Sequence, residues 1–564
     1  MQEADDSSAL VAKAIGFHQA GRLDEAQALY DKALAMRPSQ VDALHLSGVL
    51  LHQRNGSVEA LRRLRAALAL SPRAAAIHFN CGKVLREMGR LAESISSLRR
   101  AAELDPRFDA AHFELAAALD ESSRFEEALD AFFHALSVRP SAASWYGVGN
   151  CLARMQRLEE AVSAYQTALR FEPNYREAAY NLALVLVSLG RCEEASPIAA
   201  RFSADSRNAL ALFNAGQISL SIGRLATARD LFIQALSLEA DLAPAKLGLS
   251  QLDLLQGHFE SGWRAYEARW TMPDQRSNAR YADRPFWTGT EELRAKTVLV
   301  HAEQGLGDTL QFCRYLPLLA GRGAKVVAQV QKPAVALLRR SLGEAVRVIS
   351  DDEAPPPFDL QCPMLSLPMA FGTRLETIDG NVPYLTPGPR PAWLEEACSE
   401  DGVLIGLAWS GNNRHANDIN RSIPPRHLRT LLDAFRGSGG RPVQFIALQT
   451  YFRPSDREVL AEHPSLLRFT PKIGSFDDTA ALAGACDLIV SVDTSVAHLA
   501  GALARPLWLL LPYVPDWRWL LDRVSSPWYP QARLIRQEQP GDWDGVLKRV
   551  AKDLRFRIGS KGLA

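Results

Sequence analysis

The sequence predicts an α-solenoid followed by an α/β region of two parallel-sheet lobes around a central cleft. Three observations carry this. Pro38, Pro72, Pro106 and Pro140 stand 34 residues apart, and Pro173 follows after 33. Near residue 296 the pattern changes to short β-branched runs alternating with helical segments. At that change stands "VLVHAEQGLGDTLQFCRYLPLLAGRGAKVVAQV" (298–330), which reads as strand, Gly-Leu-Gly-Asp turn, helix and second strand.

A fixed period of this length signals stacked helical hairpins. "GRLDEAQALYDKALAMRP" places Ala26, Tyr30, Ala33 and Pro38. "SRFEEALDAFFHALSVRP" repeats the pattern with Ala128, Phe132, Ala135 and Pro140. "QRLEEAVSAYQTALRFEP" does so with Ala161, Tyr165, Ala168 and Pro173, after Trp145 and Gly149. Small residues let the two helices of a hairpin approach, the aromatic fills the gap, and proline stops the second helix. The pattern resembles the tetratricopeptide repeat, with seven units and a partial eighth over residues 1–270. Pro197 interrupts the second helix of the sixth unit, and "GHFESGWRAYEARW" closes the array (257–270). Such arrays expose a concave groove suited to a protein or peptide; a spacer or dimerisation role is the alternative.

Residues 271–294 form a polar connector in which Tyr281, Phe286 and Trp287 need something to pack on, so an ordered path is expected. Strands are expected at "KTVLVHA", "AKVVAQV" and "AVRVIS", then at "GVLIGLAWS", "PVQFIALQ", "CDLIVSVD", "RPLWLLLP" and "ARLIRQ". Their alternation with helices implies parallel sheets covered on both faces. The Pro-rich stretch 352–393 separates the groups, giving lobes at 295–395 and 396–564.

Composition excludes several classes. The chain carries 64 basic and 64 acidic side chains, so neither nucleic acid nor an anionic membrane is an expected partner. The seven cysteines form no Cys-x-x-Cys pair, which argues against a disulfide framework or zinc site and for a reducing cytosol. The acidic N-terminal stretch lacks a targeting pattern, and no apolar run reaches the ~20 residues of a membrane span. A cytoplasmic location is the expectation.

Four constellations could carry chemistry. Gly305, Gly307 and Asp308 follow the first α/β strand and open a helix, where close backbone approach and an anion are favoured. Asp308 stands at the N-cap position; it either caps that helix or faces the cleft as a general base. The second is "DLIVSVDTSVAHLAGALARPLWLLLP" (487–512), where a strand runs to Asp493 and Thr494, Ser495 and His498 open a helix. That arrangement suits a phosphate, or else a capped helix with a satisfied core histidine. The third, "GLAWSGNNRHANDINRSIPP" (406–425), carries Ser410, Asn412 and Arg421; its Arg414 and Asp418 read as solvated loop charges. The fourth, 513–537, is aromatic-rich, either a stacking floor for a base or inter-lobe packing. Asp477 and Asp478 read as helix capping. No phosphate loop, His-Glu-x-x-His, Gly-x-Ser-x-Gly or dinucleotide fingerprint occurs, and no metal or cofactor is expected.

From about residue 295 to 560 the chain resembles the heptosyltransferase-like GT-B glycosyltransferases, a fold of two Rossmann-like lobes around a cleft. The group opens its first lobe with a strand, a Gly-Asp turn and a helix. Its second lobe carries Asp-x-x-x-x-His-x-Ala, matched by Asp493, His498 and Ala500. The resemblance implies Asp308 as the base and Gly305 and Gly307 as the turn glycines. It implies a donor site of Ser410, Asn412, Arg421, Asp493, Thr494, Ser495 and His498. Arg421 stands where lysine is usual, and Ser495 where glycine is common. Repeats fused to such a domain look like the O-GlcNAc transferases and the bacterial soluble protein O-glycosyltransferases, including those acting on flagellin. The implied activity is inverting, metal-independent transfer from a nucleotide-sugar, a co-substrate rather than a cofactor. The acceptor would be Ser/Thr of a bacterial protein held by the repeats. The alternatives are a non-catalytic repeat scaffold with a degenerate GT-B domain, or an enzyme acting on a saccharide acceptor.

Overall fold

The computed structural model describes residues 2–204, 207–272, 280–397, 402–413, 415, 417–436 and 442–559. Arg414 and Cys398 therefore lie outside the described residues. Among the described residues, helices from Gln2–Gln19 to Phe259–Tyr266 follow one another as eight hairpins. Tyr30, Ala26 and Ala33 are fully buried, as are Ala161 and Ala168 around Tyr165. Glycines on the first helix of a pair make room for rings of the second helix of the same pair and of the pair before it. A Cβ on Gly149 would lie 2.9 Å from Tyr165 Cζ, and one on Gly147 would lie 2.7 Å from Phe132 Cε2. Pro197 sits inside Cys192–Ser203, a helix of 12 residues where the second helix of the preceding pair has 14. Proline has no N–H for the helical ladder, so one bond is lost at that turn while the helix runs on to Ser203.

The chain divides into two compact units, residues 1–182 and 183–564. The division falls before the array's expected end at 270, because the later hairpins of the array share a core with the sheets. Trp263 meets Trp517 edge-on at a centroid distance of 5.0 Å, and Phe259 stacks on Trp528 at 6.3 Å. Turn glycines of these hairpins seat directly on sheet loops. A Cβ on Gly223 would lie 2.7 Å from the Tyr513 ring, and one on Gly190 would meet Pro540 O at 2.5 Å. Ser188 Oγ donates to Asn420 Oδ1 at 2.5 Å, tying one hairpin to the loop that carries Arg421.

The second unit holds two sheets, both wholly parallel. The first comprises β1 (Thr297–His301), β2 (Lys325–Val330), β3 (Val346–Ser350) and β4 (Leu360–Pro363), ordered β3-β2-β1-β4. The second comprises β5 (Val403–Ala408), β6 (Val443–Ala447), β7 (Leu467–Arg468), β8 (Leu488–Val492), β9 (Leu507–Leu511) and β10 (Ala532–Arg536). Its order is β10-β9-β8-β5-β6-β7. Every residue of β5, β8 and β9 is buried, as expected for strands covered on both faces. The strands β4 and β7 were not expected; β4 lies inside the Pro-rich stretch read as a separator. Trp287 is fully buried and its backbone N–H donates to Gln361 O at 2.8 Å, so the described end of the connector lies along β4.

Each sheet reverses its order once. In the first the reversal lies beside β1; in the second it lies between β5 and β8. Open α/β sheets present their ligand crevice at the carboxyl ends of the strands flanking such a reversal. The loops after β1, β5 and β8 hold the first three constellations, and the fourth follows β9.

Candidate functional site

The helix Leu306–Phe312 follows β1 with Gly305 as its N-cap. Asp308 is the third helical residue rather than the cap itself, which corrects the sequence expectation. Its Oδ2 accepts from the Gly305 N–H at 3.0 Å, and its Oδ1 accepts from Arg518 Nη2 at 2.5 Å. Burial pushes the Asp308 carboxyl up, and the Arg518 guanidinium pulls it back.

Arg518 lies in the short turn Trp517–Trp519 after β9. It also donates to Gln311 Oε1 at 2.7 Å and Asp516 Oδ1 at 2.9 Å, and lies over the Trp517 ring at 4.1 Å. The sequence reads this segment as aromatics with Pro and Arg and assigns Arg518 no role of its own. Trp517, Trp519, Trp528 and Tyr529 are all buried in the shared core, so these rings pack the interior and offer no open stacking floor.

The loop after β8 carries Asp493 into the helix Ser495–Ala502, with Thr494 as N-cap. Thr494 makes no side-chain cap bond, and its hydroxyl lies 3.3 Å from Ser491 Oγ. Ser495 is half-buried, its backbone facing Gly307: a Cβ on Gly307 would lie 3.4 Å from Ser495 Cα and 3.0 Å from His498 Cδ2. The two helices thus touch because residue 307 has no side chain. Gly307→Val is expected to force them apart and destabilise the protein by about 1–3 kcal/mol, read from the urea midpoint.

His498 is buried and held well below the usual histidine range, first by burial and then by the charge of Arg518. Its Nε2 lies 3.8 Å from Asp493 Oδ1. Burial and the neighbouring Asp516 push Asp493 up to about 6. The native protein then binds that proton more tightly than the unfolded chain, so stability falls as pH rises from the ordinary value of 3.8 through about 6. Asp493→Asn removes this loss. Its Tm relative to wild type is expected to be higher at pH 8 than at pH 4.

After β5 the chain runs through Ser410 and Asn412 to the one-turn helix Asp418–Arg421. Arg421 Nη1 donates to Asp493 O at 3.1 Å, while its buried Nε meets no hydrogen-bond partner among the described residues. Gly411 lies against this guanidinium, where a Cβ would come within 2.6 Å of Nη2. Ser410 is not gathered with this group, because its Oγ accepts from Gln449 Nε2 at 3.1 Å; Asn412 is exposed. Asp418 corrects an expectation. It is 2 % exposed, accepts from Arg453 Nη2 at 2.7 Å and from Ser422 Oγ at 2.7 Å, and anchors the loop from within. Asp478 is as read: its Oδ2 accepts from the Ser475 N–H at 2.9 Å in a capping box, whereas Asp477 corrects the capping expectation, its Oδ2 accepting from Arg340 Nη2 at 2.6 Å.

The loops therefore bring Asp308, Asp493, Asp516, His498, Arg421 and Arg518 into one partly buried cluster. Its carboxylates are matched by two guanidiniums and a neutral imidazole. Chemically it offers fixed cations for an anion and an ion-paired carboxylate for a proton. Among the described residues no group of three or more His, Cys, Asp or Glu is arranged for a metal, and no helix is long and apolar enough to cross a membrane.

Tetratricopeptide repeat models match residues 11–60, 59–107, 81–137 and 180–244, and a further TPR model matches 149–190. Protein FlbA of Caulobacter vibrioides is 25% identical over 446 residues, 75% of this chain and 68% of that protein. That span is longer than the helical array. The peroxisomal targeting signal receptor of Candida albicans is 42% identical over 66 residues, 12% of this chain and 11% of the receptor. A crystal structure of a tetratricopeptide repeat protein from Parabacteroides merdae covers 44% of this chain and 98% of its own, at 17% identity and a TM-score of 0.36. Tetratricopeptide repeats run through the N-terminal region, and the chain is a repeat protein similar to FlbA.

Proposed function

We propose that a protein with this repeat array and this paired-sheet region is a glycosyltransferase of the GT-B, heptosyltransferase-like kind. The repeats would recruit a polypeptide, and the cleft would move a sugar from a nucleotide donor to a Ser or Thr hydroxyl. Flagellin is the acceptor that the resemblance suggests. One observation supports this reading most: Asp308, Arg421, Asp493 and His498, from loops of both sheets, converge after β1, β5 and β8, beside the two order reversals.

In this mechanism Asp308 takes the proton of the acceptor hydroxyl as its oxygen attacks the anomeric carbon. The bond from that carbon to the nucleotide phosphate breaks, and the leaving charge is met by Arg421, the start of the helix Ser495–Ala502 and His498. Fixed donors of this kind stabilise developing charge without reorganisation. Ser188 and Gly190 hold the array against the loops of the second sheet, so a segment bound by the later repeats has a set path to the cleft.

Calorimetric titration of the full chain with CMP, UDP, GDP and ADP tests the reading. Selective binding of one nucleotide, lost in Arg421→Ala, is the expected result. A folded protein that binds none of the four would favour a scaffold without transferase activity. One feature favours that second reading: Asp308 already has a structural role, capping a helix turn and pairing with Arg518.

A further inference from the structure

His498 lies between two polar groups, and these decide which nitrogen carries its proton. Nδ1 is 3.0 Å from the Tyr529 hydroxyl, and Nε2 faces Asp493 Oδ1 at 3.8 Å. The imidazole stacks on Trp519 at 5.4 Å, and the close approach of Gly307 closes another side. A neutral imidazole has one N–H and one lone pair, so each nitrogen needs the opposite kind of partner.

Both partners point the same way. The Tyr384 hydroxyl donates to Leu310 O at 2.9 Å and accepts from Arg314 Nη2 at 3.0 Å. It lies 3.5 Å from Tyr529, so the nearer acceptor for the Tyr529 proton is His498 Nδ1. At the other nitrogen, a carboxylate opposite a lone pair would be repulsive, whereas a carboxylate opposite N–H is attractive.

We propose that Tyr529 is a positioning residue: by donating to Nδ1 it fixes His498 as the Nε2–H tautomer, a neutral donor aimed at the space beside Asp493. Its use on a departing phosphate rests on the function proposed above; the tautomer assignment does not. The chain Arg314–Tyr384–Tyr529–His498 joins the end of the helix after β1 to the helix after β8. Tyr529 lies far along the sequence from the Asp-x-x-x-x-His pattern, so spacing alone does not associate them.

The test is nitrogen-15 NMR of the full chain labelled at histidine, with the His498 signals identified by their loss in His498→Gln. The expected wild-type spectrum has a protonated Nε2 and an unprotonated Nδ1. Tyr529→Phe is expected to shift both signals toward a mixture of tautomers. A wild-type Nδ1–H tautomer overturns the proposal, and so does an unchanged spectrum in a folded Tyr529→Phe. The wild-type spectrum decides the first point even if that variant fails to fold. In a second arm, titration with inorganic pyrophosphate is expected to show affinity about tenfold weaker in Tyr529→Phe, the scale of one lost hydrogen bond. If wild type binds neither pyrophosphate nor any nucleotide, the transferase reading falls while the spectrum still decides the tautomer.

Discussion

Asp308→Asn is expected to lower sugar transfer by about 10²–10⁴-fold, the usual worth of a positioned general base, while nucleotide affinity and fold are kept. The substitution is isosteric. An asparagine oxygen can still accept from the Gly305 N–H, so the turn that opens the helix survives. Arg518 keeps Asp516 and Gln311 as partners, so no guanidinium is left buried without an acceptor. Burial already opposes the Asp308 charge, so removing that charge also relieves a desolvation penalty. What the variant cannot do is accept a proton. Single-turnover transfer with saturating donor, beside a calorimetric titration of the same preparation, reads the two effects separately. Unchanged transfer would leave Asp308 with capping and ion pairing alone.

The array was legible because its physics is local. A hairpin repeats its small, aromatic and proline positions at one period, and the buried residues Tyr30, Phe132 and Tyr165 fall on that period. The eight longer strands were legible as β-branched runs. β4 and β7 were not: one has four residues ending in proline and the other has two, so neither carries a periodic signal. Site residues following long strands could be found by asking what ends each strand. Arg518 could not, because its role depends on Asp308, a carboxylate 210 residues away. Asp418 was misread for the same reason. A carboxylate in a polar loop looks solvated until its partner is known, and Arg453 lies 35 residues further on. Ion pairs across loops are set by tertiary placement, which sequence spacing does not encode.

Arg269→Met is expected to destabilise the second unit by about 3–5 kcal/mol, the cost of leaving a buried charge without its partner. Arg269 lies at the end of the helical array, its side chain 3 % exposed. It donates to Glu267 Oε1 at 2.6 Å, Glu303 Oε1 at 2.9 Å and Ser366 Oγ at 2.7 Å, and lies over the Tyr266 and Trp270 rings. Methionine fills much of the same volume, so the loss is one of charge pairing more than of packing. Glu303 is the group left exposed to the consequence. Burial already pushes it up to about 7 against the pull of Arg269. Without the guanidinium its carboxyl moves higher still. A raised carboxyl contributes stability below its unfolded value that is lost as pH rises through the folded one. The penalty of Arg269→Met is therefore expected to be larger at pH 8 than at pH 5. Adding Glu303→Gln should recover a good part of it at pH 8 and little at pH 5, because at low pH Glu303 is already neutral. Urea unfolding of the four proteins at both pH values closes that cycle. If the single and double variants lose the same stability at pH 8, the pair does not join the array to the first sheet through charge, and the packing of Trp263 and Phe259 on the aromatic core must do so instead.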